Sequence, residues 1–229
     1  MRRLILPLFF GILGTVVLVS LGIWQLQRMA EKEAYLADID ARMSGAPTAL
    51  PDAIDPVDDK YLPVVVSGTI LSDEIHLLAS TRDVGAVYRI VSVFETSDGR
   101  RILADRGWVK TEDKDATDRA PEAAELTGNL HWPEERDSFT PENDVQANIW
   151  FARDVDQMAT QLNTEPVLLI VRETTEKNAP VTPLPIDKVG IPNDHLEYVI
   201  TWFGLAIVWV AMTLYYLRRM RKTKKALET

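Results

Sequence analysis

The chain has 229 residues, no cysteine, and 34 Asp and Glu against 25 Lys and Arg, for a formal net charge of −9. Without cysteine it has no disulfides, no CxxC redox chemistry and no thiolate metal centre. An acidic chain of this kind also lacks the basic face that phosphate backbones need, so nucleic acid is excluded as a partner.

In chain order, the first element is an uncharged apolar run at residues 4–25, matched near the other end by a second at residues 198–217. Each is close to the roughly 20 residues a helix needs to cross about 30 Å of hydrocarbon. Arg2 and Arg3 precede the first run, and Arg218, Arg219, Arg221, Lys222, Lys224 and Lys225 follow the second. Lys and Arg are retained on the cytoplasmic side of short membrane flanks, so both termini are expected there. The segment between the runs holds 17 Lys and Arg against 33 Asp and Glu, a composition that crosses a membrane readily. The expected division is a cytoplasmic N-terminus (1–3), a transmembrane helix (4–25), an exported domain (26–197), a second transmembrane helix (198–217) and a basic cytoplasmic tail (218–229). The competing reading of the first run is a cleaved secretion signal, but the run exceeds the usual apolar region of about 7–15 residues and is followed by Trp24-Gln25-Leu26-Gln27-Arg28, without a small-residue cleavage site. No Ser- and Arg-rich transit peptide precedes it, so the expected location is a bacterial plasma (inner) membrane, with the middle in the periplasm and lipid around both spans. A mature mitochondrial protein is the second choice.

From residue 30 to 43 the pattern is Ala-, Glu-, Lys- and Asp-rich, with Tyr35, Leu36, Ile39 and Met43 at helical spacing, so the first helix should continue past the membrane. The three prolines between Gly45 and Pro56 should end it. Strands are then expected at 61–70, 74–79, 87–96, 101–109 and 125–131, rich in Val, Ile and Leu. Ser97-Asp98-Gly99-Arg100 reads as a hairpin turn, since Asp-Gly tolerates positive φ. Beyond a charged loop at 110–121, residues 149–153 suggest a further strand; Asp154 is placed to cap a short helix carrying Val155, Met158 and Leu162, and 167–171 reads as a last strand. Pro180, Pro183, Pro185 and Pro192 suggest an extended connection back to the membrane. The fold class expected is therefore an α+β membrane protein: two transmembrane helices flanking a largely antiparallel β domain with short helices.

The start of the second run carries the chemistry. Asp194 and Glu197 have the spacing of a capping box, so the helix should begin at His195, at the outer membrane boundary. Tyr198, Trp202 and Trp209 follow His195 at 3, 7 and 14 positions, near one face. A neutral imidazole above an aromatic stripe could receive a flat, apolar macrocycle. The same residues also suit an interfacial aromatic belt, with Trp24 and Trp202 at its outer edge. On the first helix Gln25 and Arg28 share a face with Trp24; Arg28 could pair with a propionate or phosphate, or serve as a snorkelling anchor. The other two histidines, His76 and His131, are distant in sequence. Six scattered methionines and no Cys argue against copper delivery. No nucleophile elbow, zinc-helix motif or Gly-rich phosphate loop supports a hydrolase.

Three segments, Leu21-Gly22-Ile23-Trp24-Gln25-Leu26-Gln27-Arg28, Arg106-Gly107-Trp108 and Asn193-Asp194-His195-Leu196-Glu197-Tyr198-Val199-Ile200-Thr201-Trp202, resemble the signatures of the Surfeit locus protein 1 (Shy) family, in order and across the whole chain. The last is the most specific and the Arg-Gly-Trp the least. The resemblance implies a non-enzymatic assembly factor for haem-copper cytochrome c oxidase that acts while haem a is inserted into the catalytic subunit, subunit I, with haem A synthase a further candidate partner. It places the axial haem a ligand on His195, the only metal contact expected, and makes Trp24, Gln25, Arg28, Tyr198 and Trp202 candidate cofactor contacts. The alternative is a cofactor-free membrane scaffold that steadies an oxidase subunit. The chain has Asp105 where relatives usually have Asn before the Arg-Gly-Trp; that departure matters little if the position is a strand-end turn. The trio itself is expected to serve the fold.

Overall fold

The computed structural model describes residues 2–115, 119–177, 179–186 and 194–226, and divides into a helical unit and a β unit, the latter spanning Ile39–Asp187. Asn193 of the last motif and part of the Pro-rich connection, with Pro192, lie outside the described residues.

The helical unit pairs α1 (Arg2–Met43) with α3 (His195–Ala226). As expected, α1 runs on without a break past the apolar segment; its 42 residues give a rod roughly 63 Å long. The two helices are antiparallel, since residues later in α1 meet residues earlier in α3. Gly11 faces Thr213, Gly14 faces Trp209, and Gly22 faces Phe203. A Cβ at Gly14 would lie 2.4 Å from the Trp209 indole nitrogen, so the glycine is what lets the ring seat there. The same nitrogen donates to the Gly11 carbonyl at 3.0 Å. Small residues let helices approach closely where lipid gives no hydrophobic drive for pairing. Both helices are long and apolar enough to cross a bilayer. Most of their large apolar side chains, such as Phe9, Val16, Ile200 and Ile207, face outward.

The β unit is a closed five-stranded barrel with one added strand. The elements are β1 (Thr48–Ala49), β2 (Pro63–Thr81), β3 (Gly85–Thr96), β4 (Arg101–Lys110), β5 (Glu122–Leu130), α2 (Val155–Leu162) and β6 (Leu168–Thr174). β2, β3 and β4 form an antiparallel meander, and β5 returns to lie beside β2, a Greek key. β6 closes the ring, antiparallel to β5 and parallel to β4. β1 pairs in parallel with Val64 and Val65 of β2, past the point where β3 ends at Thr96. The sheet is mixed: its pairings are largely antiparallel, as expected, and β1 with β2 and β6 with β4 add two short parallel ones, the latter because β6 enters between two strands that run in opposite directions.

Alternation along the strands separates two cores. Ile102 and Ala104 of β4 and Leu169 and Val171 of β6 join Val64, Phe94 and Leu126 in one apolar cluster. Leu103, Leu168 and Ile170 point the other way, where Met158 and Val155 of α2 cover them together with Trp150. α2 is capped as the sequence indicates, the Asp154 carboxylate accepting from Gln157 N–H, and ends on Asn163 in the left-handed region at φ 52°.

Two strand expectations change. Segments 61–70 and 74–79 are one strand, because the backbone absorbs 71–73 as a register shift between Ile70 and Glu74 instead of turning. Segment 149–153 is not a strand: Trp150 makes a single bridge to Leu77, and the Asp154 cap then starts α2. The described part of the Pro-rich stretch, expected as an extended connection, is tied to β4, for Thr182 exchanges both backbone hydrogen bonds with Trp108, at 2.8 and 3.0 Å.

Arg106-Gly107-Trp108 is a β-bulge. Ile90 faces Gly107 and Val91 faces Asp105, leaving Arg106 as the extra residue. Its guanidinium is buried against Glu176 and Ser92. Gly107 sits at φ 118°, and a Cβ there would fall 1.9 Å from the Thr182 carbonyl oxygen. Asp105 lies within β4 and not at a strand-end turn, so the condition under which an Asp for Asn would matter little is not met. The residue is fully buried in mid-strand, paired with Arg89 at 2.6 Å and Arg153 at 3.5 Å, and accepts from Gly107 N–H at 3.2 Å.

Candidate functional site

His195 is the first residue of α3, and a 3.1 Å bond from Glu197 N–H to the Asp194 carbonyl closes that turn. On α3, Val199 and Ala206 follow on the same face and are buried. On α1, Gln25 continues the stripe of Gly11, Gly14 and Gly22 and is only 8 % exposed. The two meet: Nδ1 of His195 lies 2.8 Å from Oε1 of Gln25. A carbonyl oxygen only accepts, so in this arrangement Nδ1 is the donor, which in a neutral ring would leave the lone pair on Nε2.

Trp24, about 100° round α1 from Gln25, is 49 % exposed. Arg28 lies over its ring, 6.0 Å from the centroid, and also pairs with Glu31 at 3.0 Å. Tyr198 is 54 % exposed on the flank of α3, and Trp202 is half-buried on the His195 face. Of the six residues named from the sequence, the structure thus joins Gln25 to His195 and Arg28 to Trp24. Among the described residues, no ring contact links Trp24, Tyr198 or Trp202 to His195 or to one another. Trp209, read as the foot of the aromatic stripe, is engaged with Gly11 and Gly14 instead. A cleft of about 250 Å³ between the helices, lined by Leu8, Gly11, Ile12, Val210 and Leu214, lies roughly 20 Å along α1 from Gln25 and is not part of this site.

The remaining histidines have separate tasks within the barrel. His76 bonds Glu74 at 2.7 Å, and Arg119 holds the same carboxylate at 2.8 Å. His131 stacks on Tyr61, centroids 5.2 Å apart. Burial, with the positive charges of Arg153 and Lys60 nearby, pushes its pKa down to about 4. Among the described residues, no group of three or more His, Asp or Glu could hold a metal ion by itself.

The pairing of His195 with Gln25 was invisible in the sequence, because 170 positions separate the two. Only the antiparallel glycine seam brings them together.

Comparison with known proteins agrees with this order of elements. The SURF1 family profile matches residues 12–207, which include the whole barrel, most of α1 and the first turns of α3. A SURF1-like protein of Rickettsia felis is 31 % identical over 213 residues, covering 89 % of this chain and 93 % of that one. A SURF1-like protein of Rickettsia bellii is 32 % identical over 223 residues, 93 % of this chain and 91 % of that one. Surfeit locus protein 1 of Xenopus tropicalis is 31 % identical over 215 residues, 83 % of this chain and 69 % of that one. With a helix at each end, a barrel between, and agreement of this extent in bacterial and vertebrate relatives, the chain belongs to the SURF1 family.

Proposed function

We propose that the chain is a membrane-anchored assembly factor for haem-copper cytochrome c oxidase, and that it assists the insertion of haem a into subunit I by holding haem a transiently. Family membership supports the assembly role. The antiparallel helix pair supports a topology with both termini on the cytoplasmic face of a bacterial inner membrane and the barrel in the periplasm. In this reading subunit I is the client, haem A synthase a further partner, and the protein is not an enzyme.

The observation that carries the cofactor reading is the His195–Gln25 pair. A bare metal ion would need several protein ligands, and the described residues hold no such cluster. A single oriented imidazole fits one axial position of a haem iron instead. Haem a, when bound, brings four porphyrin nitrogens of its own, so the protein need supply only that axial nitrogen. Nε2 of His195 would be the ligand atom; Trp24, Tyr198 and Trp202 offer aromatic surface at the same end of the helix pair, and Arg28 carries a cation for a propionate. Arg28 is already shared between Trp24 and Glu31, so it would have to exchange partners to do this. One half-buried ligand suits a site that must release what it holds.

The test is an optical spectrum of protein purified from cells that make haem a. Wild type should carry haem absorbance, and His195→Ala should lose it while remaining helical by circular dichroism. An unchanged spectrum in His195→Ala rules out the ligand role, and an absence of haem from wild type favours a cofactor-free scaffold for an oxidase subunit.

A further inference from the structure

Resting on the haem reading of His195, we infer that Gln25 is a positioning residue that fixes the tautomer of His195 and does not itself touch the porphyrin. The side chain is too buried to offer a contact surface, and its amide oxygen is already spent on Nδ1 at 2.8 Å.

A neutral imidazole has one N–H and one lone pair, and in water the proton moves between the two nitrogens. A hydrogen bond to one nitrogen selects where it stays. With Oε1 of Gln25 as acceptor the proton remains on Nδ1, and Nε2 is held as the free donor nitrogen. Metal-bound histidines are ordinarily prepared in this way by an acceptor behind the ring, and loss of such a partner typically costs 10- to 100-fold in metal affinity.

The acceptor is held in place by the helix seam. Gln25 is one turn beyond Gly22, against which the Phe203 ring packs so closely that a Cβ would lie 2.9 Å from it. Gly14, Trp209 and Gly11 lock the same two helices further along. The register of the seam therefore sets which residue of α1 stands behind His195. An amide is also a weaker acceptor than a carboxylate. It orients the ring without giving it imidazolate character, which would strengthen the bond to iron and slow release.

The apo protein reports the tautomer directly. Full-length protein labelled with 15N at histidine has three ring systems, and the His195 signals are the ones that vanish in His195→Ala. In wild type at neutral pH, Nδ1 should be protonated and Nε2 not. Gln25→Met, close in volume but without an acceptor, should move the ring toward the Nε2–H form; Gln25→Glu should keep Nδ1–H. In haemin titrations of the same proteins, Gln25→Met should bind about 10- to 100-fold more weakly, and Gln25→Glu should restore binding. A wild-type ring protonated on Nε2 would overturn the inference, as would an unaltered tautomer in Gln25→Met. The two readings fail separately: haem retained by His195→Ala removes the ligand role and leaves the apo tautomer result intact, whereas haem lost by His195→Ala but held normally by Gln25→Met removes only the role of Gln25.

Discussion

His131 makes the stability of the barrel depend on mild acid, by an amount the structure allows to be worked out. Its ring is sandwiched against Tyr61 beneath the positive charges of Arg153 and Lys60, and its pKa falls from 6.5 to about 4, chiefly through burial. In the unfolded chain the ring takes up a proton near pH 6.5; in the folded chain it resists until about pH 4. Between those values the unfolded state binds more protons, so stability is intact above pH 6.5 and is lost as pH falls toward 4. At 1.36 kcal/mol per decade of proton affinity, about 2 kcal/mol should disappear between pH 7 and pH 5. His131→Phe keeps an aromatic face for Tyr61 and cannot titrate. Urea unfolding of full-length protein in detergent, followed by the fluorescence of the barrel tryptophans Trp108, Trp132 and Trp150, should therefore show a pH dependence about 2 kcal/mol shallower in the variant over that interval. Carboxylates common to both proteins cancel in the comparison. Equal losses in the two would mean that His131 is protonated as easily folded as unfolded, and the argument from burial would be wrong.

Gly107→Ala should cost at least about 2 kcal/mol in urea unfolding, because alanine is strained at φ 118° and its Cβ would meet the Thr182 carbonyl oxygen; a wild-type midpoint would contradict the bulge. Asp105→Asn should destabilise by about 3 kcal/mol, since Arg89 would be left buried beside a neutral amide; if the stability is unchanged, Arg89 must find a counter-charge elsewhere. Gly14→Leu should lower the thermal unfolding midpoint of the helical unit in detergent, by an overpacking cost of about 1–3 kcal/mol against Trp209. Trp209→Ala combined with it should recover part of the loss.

Much of the fold follows from local signals that tertiary context does not override. Residues 4–25 are apolar without interruption, the Asp98-Gly99 turn needs positive φ and has it at Gly99, 86°, and Asp154 caps α2 through its own side chain. What the sequence concealed is non-local. Whether β6 lies at an edge or between β4 and β5 depends on pairing partners some 40 to 65 positions away, and no periodicity within residues 168–174 encodes that choice. Asp105 fell inside an expected strand, but nothing local says that its carboxylate is buried; only the nearby Arg89 and Arg153 make that tolerable. The candidate site divides in the same way. His195 stands out in a distinctive motif at a helix start. The function of Gln25 depends on the register of two helices far apart in the chain, and the glycines that set it look from sequence like ordinary members of an apolar run.

Closure of the barrel bears on how its strand edges meet other polypeptide. The near half of β2 is flanked by β5 on one side and by β1 and β3 on the other; its far half lies against β3, with Trp150 bridged to Leu77. β4 is sealed by β6 and, at Trp108, by Thr182. An open sheet margin is a template on which nascent polypeptide can crystallise into fibrils or borrowed strands. With those margins partly covered by one- and two-residue patches, the barrel presents little free strand edge on which another chain could add to its sheet.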